Sequence, residues 1–412
     1  MVEGEIIKFY REKQNMTQAQ LGEGICTTTH VSKIERGKTA YSDEIIAMFS
    51  ERLSIDIKKE IASLGEIDKL LQEWHSAIIM GRTEMIEQIK HDLASITLIQ
   101  STYFAAHYRL LQARYYIIHE KWKSAFTILE DIRKSHVNLT AYERNLLFHI
   151  YGIYYIGNRV NVKQEGNQKP LQYLKKVNMD EYGNREYYYH LATGYHLVGS
   201  RIMAYFYAEK ALHYFQETNN YGRALNAESV MLLQMSQDAS VDFNELTERY
   251  TNLIHNSDTL GLKDKKALFL NNLGFEYFNT GNFTLAKKYY YEALLLDDPN
   301  STSYLLHLCN YVDACLEGNL SRKGILLKKI REGLSRAKKL NSMHFIVLFQ
   351  LMKLKAEGND IAYYKFIEEK ALPHFSAINH VIYHKRYGKL LFHYYVETSQ
   401  YMKATTVLAD QL

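Results

Sequence analysis

Residues 267–299, ALFLNNLGFEYFNTGNFTLAKKYYYEALLLDDP, constrain the fold more than any other stretch. Apolar and small residues recur at three- and four-residue spacing on both sides of Gly281-Asn282, which predicts two amphipathic helices joined by a tight turn. Leu273, Gly274 and Tyr277 mark the first helix, Ala286, Tyr290 and Ala293 the second, and Pro299 the break. Small residues at Gly274 and Ala286 let the helices approach; Tyr277 and Tyr290 wedge between them. A helix pair this short cannot bury its own apolar stripe, so it needs similar pairs on either side.

Such pairs are present. Residues 188–215 carry Leu191-Ala192, Tyr195, Ala204, Ala208 and Ala211 at matching offsets, and residues 109–132 carry Ala113, Tyr116 and Ala125 around a turn at Glu120-Lys121-Trp122. Residues 144–177 begin with Gly152 and Tyr155 but contain a longer polar loop at 157–169. Further pairs are expected at 68–96, 223–254, 304–340, 343–375 and 381–412, the last with Tyr395 and Ala404, which makes nine units between residues 66 and 412. The strongest unit resembles the tetratricopeptide repeat, whose period is about 34 residues. That resemblance implies a right-handed superhelix with a concave surface lined by the first helix of each unit. One long irregular helical bundle is the alternative.

The front of the chain follows different rules. In residues 17–37, TQAQLGEGICTTTHVSKIERG, Thr17 and Gln20 form a capping-box pattern, and Ala19 and Leu21 begin a buried side. Ile25 is expected to close this helix, Thr27 or Thr28 to cap the next, Val31 and Ile34 to face inward, and Gly37 to end it. Thr28, Thr29, His30, Lys33 and Arg36 are left on the outward face, with Thr29, Lys33 and Arg36 on one stripe. Hydroxyls, an imidazole and cations on a short helix suit the major groove of DNA, where they meet base edges and phosphates. An amphipathic hairpin with a solvated face is the bland alternative. Gln18, at the start of the first helix, joins these as a candidate DNA contact.

This segment resembles the helix-turn-helix of Cro/C1 repressors through Thr17-Gln18, Leu21, Val31-Ser32-Lys33-Ile34-Glu35 and Gly37. Its turn is one residue shorter than in phage repressors. The short turn with Ile25-Cys26 is similar to that of the Gram-positive pheromone regulators of the Rgg, PlcR and NprR type. Tyr41 stands where many members carry proline. Around the motif, 4–14 reads as a first helix, Ser42 caps a fourth bearing Ile45, Ile46, Phe49 and Leu53, and 57–63 reads as a short fifth. The expected organisation is therefore all-α: a Cro/C1-type domain at residues 1–64 and helical repeats at 65–412.

Composition narrows the options. Three Pro and 23% charged residues fit a folded helical chain, and 34 Tyr fit rings packed between helices. The N-terminus carries acids and no long apolar run, and no stretch approaches the roughly 20 apolar residues that cross a bilayer, so a cytoplasmic protein is expected. Cys26, Cys309 and Cys315 are too few and scattered for a disulfide framework or zinc site, and read as reduced thiols. Residues 1–64 have a net charge of −1, but residues 8–38 hold six cations against three acids, a local basic footprint.

Within the repeats, Asn271 and Asn272 precede Gly274 on a first helix, Glu276 follows, and Asn226 and Asn310 occupy similar places in neighbouring units. An inward asparagine offers a donor and an acceptor, enough to hold an extended peptide's amide. A solvated or locally capping amide is the alternative for each. Arg223, Arg109 and Lys265 could meet a peptide's carboxylate. His380 and His384 lie four apart but lack a third ligand, and no phosphate loop, nucleophile elbow or cofactor motif points to catalysis.

Together, the two parts resemble the peptide-pheromone receptors of the Rap, Rgg, NprR, PlcR and PrgX superfamily, with length and repeat number nearest the NprR group. The resemblance implies a quorum-sensing transcription regulator. It would bind a palindromic double-stranded operator as a homodimer or higher oligomer, and would be switched by a short re-imported peptide held by asparagines on the concave face. A repeat scaffold that docks a phosphorelay response regulator is the rival expectation, and a prophage or plasmid repressor without peptide ligand a third.

Overall fold

In the computed structural model the described residues are 2–39, 41–96, 99, 104–135, 138–158, 167–236, 240–378 and 380–409. Among them the fold is all-α, with a helix-turn-helix domain followed by helical repeats. The chain divides into two compact units, residues 1–154 with 176–183, and residues 155–175 with 184–412. No described helix is long and apolar enough to cross a membrane.

In the first unit, α1 (Val2–Lys13), α2 (Gln18–Gly22), α3 (Thr28–Glu35) and α4 (Asp43–Leu53) enclose Ile6, Ile7, Leu21, Val31, Ile34, Phe49 and Leu53. Local chemistry sets their ends. The Thr17 hydroxyl accepts from Gln20 N, and Gln20 Oε1 accepts from Thr17 N, a complete capping box. Thr27, not Thr28, caps α3 by accepting from His30 N, and Ser42 caps α4. Two expectations fail here. Helix α2 ends at Gly22 rather than Ile25, because Glu23 (φ −55°, ψ 121°) and Gly24 (φ +70°) make a type II-like turn closed by Ile25 N to Gly22 O at 2.9 Å. That turn needs positive φ at its third residue, which glycine supplies without strain. Ala19 is exposed, since so short a helix turns only Leu21 and Gly22 to the core.

The short fifth helix expected at 57–63 is instead α5 (Ile57–Met80), which runs unbroken past Leu64 and Gly65. Asp56 caps it, Gly81 stops it in the left-handed region, and nothing near residue 64 interrupts its hydrogen bonds. Its far half pairs with α6 (Thr83–Ser95), where Trp74 is fully enclosed and donates Nε1–H to Ile86 O at 3.1 Å. Helices α7 (Ala105–Ile118) and α8 (Trp122–Lys134) form the next pair, joined through Glu120 at φ +55°. Helix α9 (Ala141–Gly157) follows. The polar loop expected at 157–169 lies mostly outside the described residues. Beyond it come α10 (Lys169–Leu174), in the second unit, and α11 (Met179–Tyr182), in the first.

The second unit continues with α12 (Tyr187–Leu197) and α13 (Arg201–Glu217), α14 (Tyr221–Met235) and α15 (Phe243–Thr259), α16 (Lys263–Asn279) and α17 (Phe283–Leu294), and α18 (Thr302–Glu317) and α19 (Lys323–Lys339). Each pair falls where the periodicity places it. At the strongest unit a methyl on Gly274 would come within 2.8 Å of the Tyr290 ring, so this glycine sets how closely α16 and α17 approach. Helix α20 (Met343–Glu357) is followed by α21 (Asp360–Phe366) and α22 (Leu372–Ala377), with a wider π turn at Ile367–Ala371 between them. Pro373 cannot donate to the turn before it, and the wide turn absorbs the mismatch, with Leu372 N reaching back to Ile367 O. Helices α23 (Val381–Glu397) and α24 (Tyr401–Ala409) complete the chain's described part.

Candidate functional site

Helix α3 presents Thr28, Thr29, Lys33 and Arg36 to solvent, and the last three share a stripe at four- and three-residue spacing. Neither cation has an ion-pair partner among the described residues, so both charges are available to an anion. His30 departs from expectation. It is half-buried on the border of the stripe, one turn before Ile34, and its Nε2 is enclosed with no hydrogen-bond partner.

Gln18 departs further. Its Nε2 donates to Glu35 Oε2 at 2.7 Å, and Glu35 is paired at 2.5 Å with Arg11 Nε, both almost fully enclosed. Arg11 also donates to Met16 O at 2.7 Å. One buried cluster thus ties α1, α2 and α3 together and aims the exposed stripe. Gln18's amide nitrogen is used in that cluster, and Arg11 drops out of the basic footprint, which is left to Lys8, Lys13, Lys33, Arg36 and Lys38. Arg52 was missed in the sequence. From α4, its Nη1 donates to Leu21 O at 2.9 Å and to Glu23 O, so it satisfies carbonyls at the end of α2. A cation 29 residues from the turn it closes leaves no local signal.

In the second unit, the candidate residues come together in pairs between consecutive first helices. Lys265 Nζ on α16 donates to Asn226 Oδ1 on α14 at 3.0 Å; Asn272 Nδ2 donates to Ser229 Oγ at 3.1 Å; and Asn310 Nδ2 on α18 donates to Asn271 Oδ1 at 2.8 Å. Asn271 and Asn272 are 7% and 8% exposed, so these amides lace the helices together rather than standing free in solvent. Asn310, one position out of register in sequence, joins the ladder through Asn271 rather than Asn272. Ser229 joins the ladder and was not singled out, since a serine between Glu228 and Val230 carries no pattern of its own.

Glu276 does not belong to this polar ladder. It is 3% exposed, its Oε1 has no hydrogen-bond partner, and its charge is felt by Tyr250 and Tyr290 on the second helices α15 and α17. Burial raises its pKa to about 7. Arg109 is taken by Asp131 at 3.2 Å on the helix packed beside it. His380 caps α23 and stacks on Tyr383 at 4.4 Å between ring centroids.

A cavity of about 350 Å³ lies between α13, α14 and α15, lined by Leu212, Tyr221, Leu225, Leu260 and the polar Gln216 and Asn256. At about 100° per residue, Tyr221, Ala224, Leu225 and Glu228 point to one side of α14, and Arg223, Asn226 and Val230 to the other. The cavity therefore lies on the face of this helix opposite Asn226.

Residues 7–59 match a helix-turn-helix family. The chain is 21% identical over 406 residues to the transcriptional activator NprA of Geobacillus stearothermophilus, covering 93% of this chain and 96% of that one. Among solved structures it resembles the apo form of the quorum sensor NprR from B. thuringiensis (TM-score 0.63, 19% identity, 84% of this chain and 97% of that one). It likewise resembles NprR in complex with its cognate peptide NprX (TM-score 0.67, 19% identity, 84% and 98%). These structural likenesses show a shared fold.

Proposed function

We propose that this chain is a peptide-responsive transcription regulator. Helix α3 enters the major groove of an operator, and the face where the first helices α14, α16 and α18 meet is a groove for a short linear peptide. The observation that carries the reading is the coexistence, in one chain, of an exposed Thr29–Lys33–Arg36 stripe and an amide ladder at Asn226, Asn271, Asn272 and Asn310. Similarity to a transcriptional activator along nearly the whole chain, and to a quorum sensor that binds its cognate peptide, supports both halves.

The DNA-binding domain spans residues 1–64 and the peptide-responsive repeats 65–412, with α5 belonging to both. Lys33 and Arg36 anchor on phosphates, and Thr29, with Thr28 and His30 at its flanks, reads bases. Gln18 acts indirectly, by holding Glu35. The working form is a homodimer on a palindromic site, whose two recognition helices must lie about 34 Å apart. A peptide that inserts its amides into the ladder exchanges Asn–Asn and Asn–Ser bonds for bonds to itself, and so changes the spacing of the first helices. Helix α5, about 36 Å long at 1.5 Å per residue, joins the helix-turn-helix domain to the first repeat pair without a break. A coupling of only about 1–3 kcal/mol alters operator occupancy five- to 150-fold. The reading places no catalytic step and no cofactor in the chain, and places it in the cytoplasm.

The test is a titration of the full chain against duplexes from its own genetic neighbourhood, with and without short peptides encoded beside it. A duplex bound in a peptide-dependent manner is expected. Indifference to every duplex under both conditions would remove the regulator and leave the repeat fold untouched.

A further inference from the structure

Lys265 sits in the first turn of α16, and its side chain crosses to α14 over Gly222, where a methyl group would lie 3.4 Å from its Cε. Its ammonium, which carries three protons, meets Asn226 Oδ1 at 3.0 Å and no carboxylate within ion-pair distance among the described residues. Arg223 lies three residues before Asn226 on the same stripe of α14. Its guanidinium forms an ion pair with the fully buried Glu186 carboxylate at 3.7 Å, a distance too long for a direct hydrogen bond, so one side of the guanidinium is engaged by charge alone. Two cations thus share one end of the polar ladder. Burial, reinforced by repulsion from Arg223, holds Lys265 down to a pKa of about 8, with Asp264 opposing weakly. A cation in this position gains more from an incoming anion than one already paired, because the anion both replaces lost hydration and offsets its like-charged neighbour.

We infer that Lys265 and Arg223 bind a carboxylate of the peptide ligand, with Asn226 aiming the Lys265 ammonium. This rests on the proposal that the first-helix face of α14 and α16 receives a peptide, and it adds the ligand's chemistry and orientation. The acid group lies where α14 and α16 begin. The seven residues from Lys265 to Asn272 span about 10 Å of helix, which matches about three residues of extended chain. The peptide backbone would therefore reach Asn272 and Asn271 some three residues from its acid group. The carboxylate comes from the peptide's C-terminus or from an Asp or Glu side chain.

Three degenerate hexapeptide pools separate these sources: free-acid without Asp or Glu, amidated with Asp and Glu, and amidated with neither. Each is added to the full chain and to Lys265→Met, and the melting temperature is read. A rise is expected from the first or second pool and none from the third, and the pool that acts identifies the source. In Lys265→Met the rise disappears, while the variant without peptide melts at or above the parent temperature, since an unpaired, half-buried ammonium is gone. Equal rises from all three pools, kept in Lys265→Met, would overturn the carboxylate assignment and leave the peptide groove standing. No rise from any pool would overturn both.

Discussion

The two surfaces proposed for recognition place their polar groups in opposite ways. On α3, Thr29, Lys33 and Arg36 stand in solvent, and the ion cluster that orients them, Arg11–Glu35 with Gln18, lies hidden behind the helix. On α14, α16 and α18 the candidate groups are themselves half-hidden and bonded to one another. A surface that meets a large charged duplex can leave its cations hydrated, because the duplex brings its own counterion atmosphere and binding is driven by ion release. A surface that takes a small ligand needs desolvated groups of fixed direction, since few contacts must supply the whole affinity. Substitutions on the first leave the packing untouched; substitutions on the second also change contacts between helices.

The contrast breaks most readily at the hidden cluster. Removing one partner of a buried pair leaves the other charge unpaired, so Glu35→Ala or Arg11→Met should cost the DNA-binding domain about 3–5 kcal/mol in urea unfolding. If either variant is as stable as the parent, the pair is not what orients α3. Glu276 comes next. Its folded pKa of about 7 lies above the usual carboxyl value, so the stability tied to its protonated form is present in acid and lost as pH rises through 7. Glu276→Gln should flatten the pH dependence between 5 and 8 and raise stability at pH 8 by up to about 3 kcal/mol. An unchanged pH profile would show that the carboxyl is solvated.

Gly274→Ala forces a methyl against Tyr290 and should lower the melting temperature, at a cost of about 1–3 kcal/mol. Asn272→Ala leaves Ser229 without its partner and should cost about 1 kcal/mol in stability, while abolishing the peptide response. Unchanged peptide affinity in titration calorimetry would separate the ladder from recognition. The smallest structural effects belong to the exposed stripe. Lys33→Ala and Arg36→Ala should each leave unfolding unchanged, weaken binding to all duplexes and reduce the salt slope by about one. Changes at Thr29 should alter sequence preference, and equal loss on every duplex would take that residue out of base reading.

How much could be read in advance follows the same division. Thr17, Gln20, Thr27 and Ser42 act on amides three residues away, so their caps were evident from neighbours in the chain, as was the helix pair around Gly281-Asn282. The end of α2 was misplaced because one glycine's φ outweighed the apolar Ile25 beyond it. The continuity of α5 was missed because Gly65 is a weak helix former and reads as a stop, whereas it costs an exposed helix only about 1 kcal/mol, which packing easily offsets. Asn271, Asn272, Asn226 and Asn310 were recognisable as amides on first helices. That they bond to Ser229, Lys265 and each other was not, since those partners lie 39 to 43 residues apart.

Short-range order, with its caps, turns and apolar periods, is therefore written along the chain itself, because each such interaction closes within about four residues and needs no distant partner. Which polar groups end up exposed, which are consumed by a neighbour, and which are left short of a counter-charge depends on how helices some 40 residues apart shift against one another. A slide of one turn would re-pair every amide on the ladder. Only the packed structure decides that, and with it the difference between Lys33, which waits in water, and Lys265, which lies half-buried against Asn226.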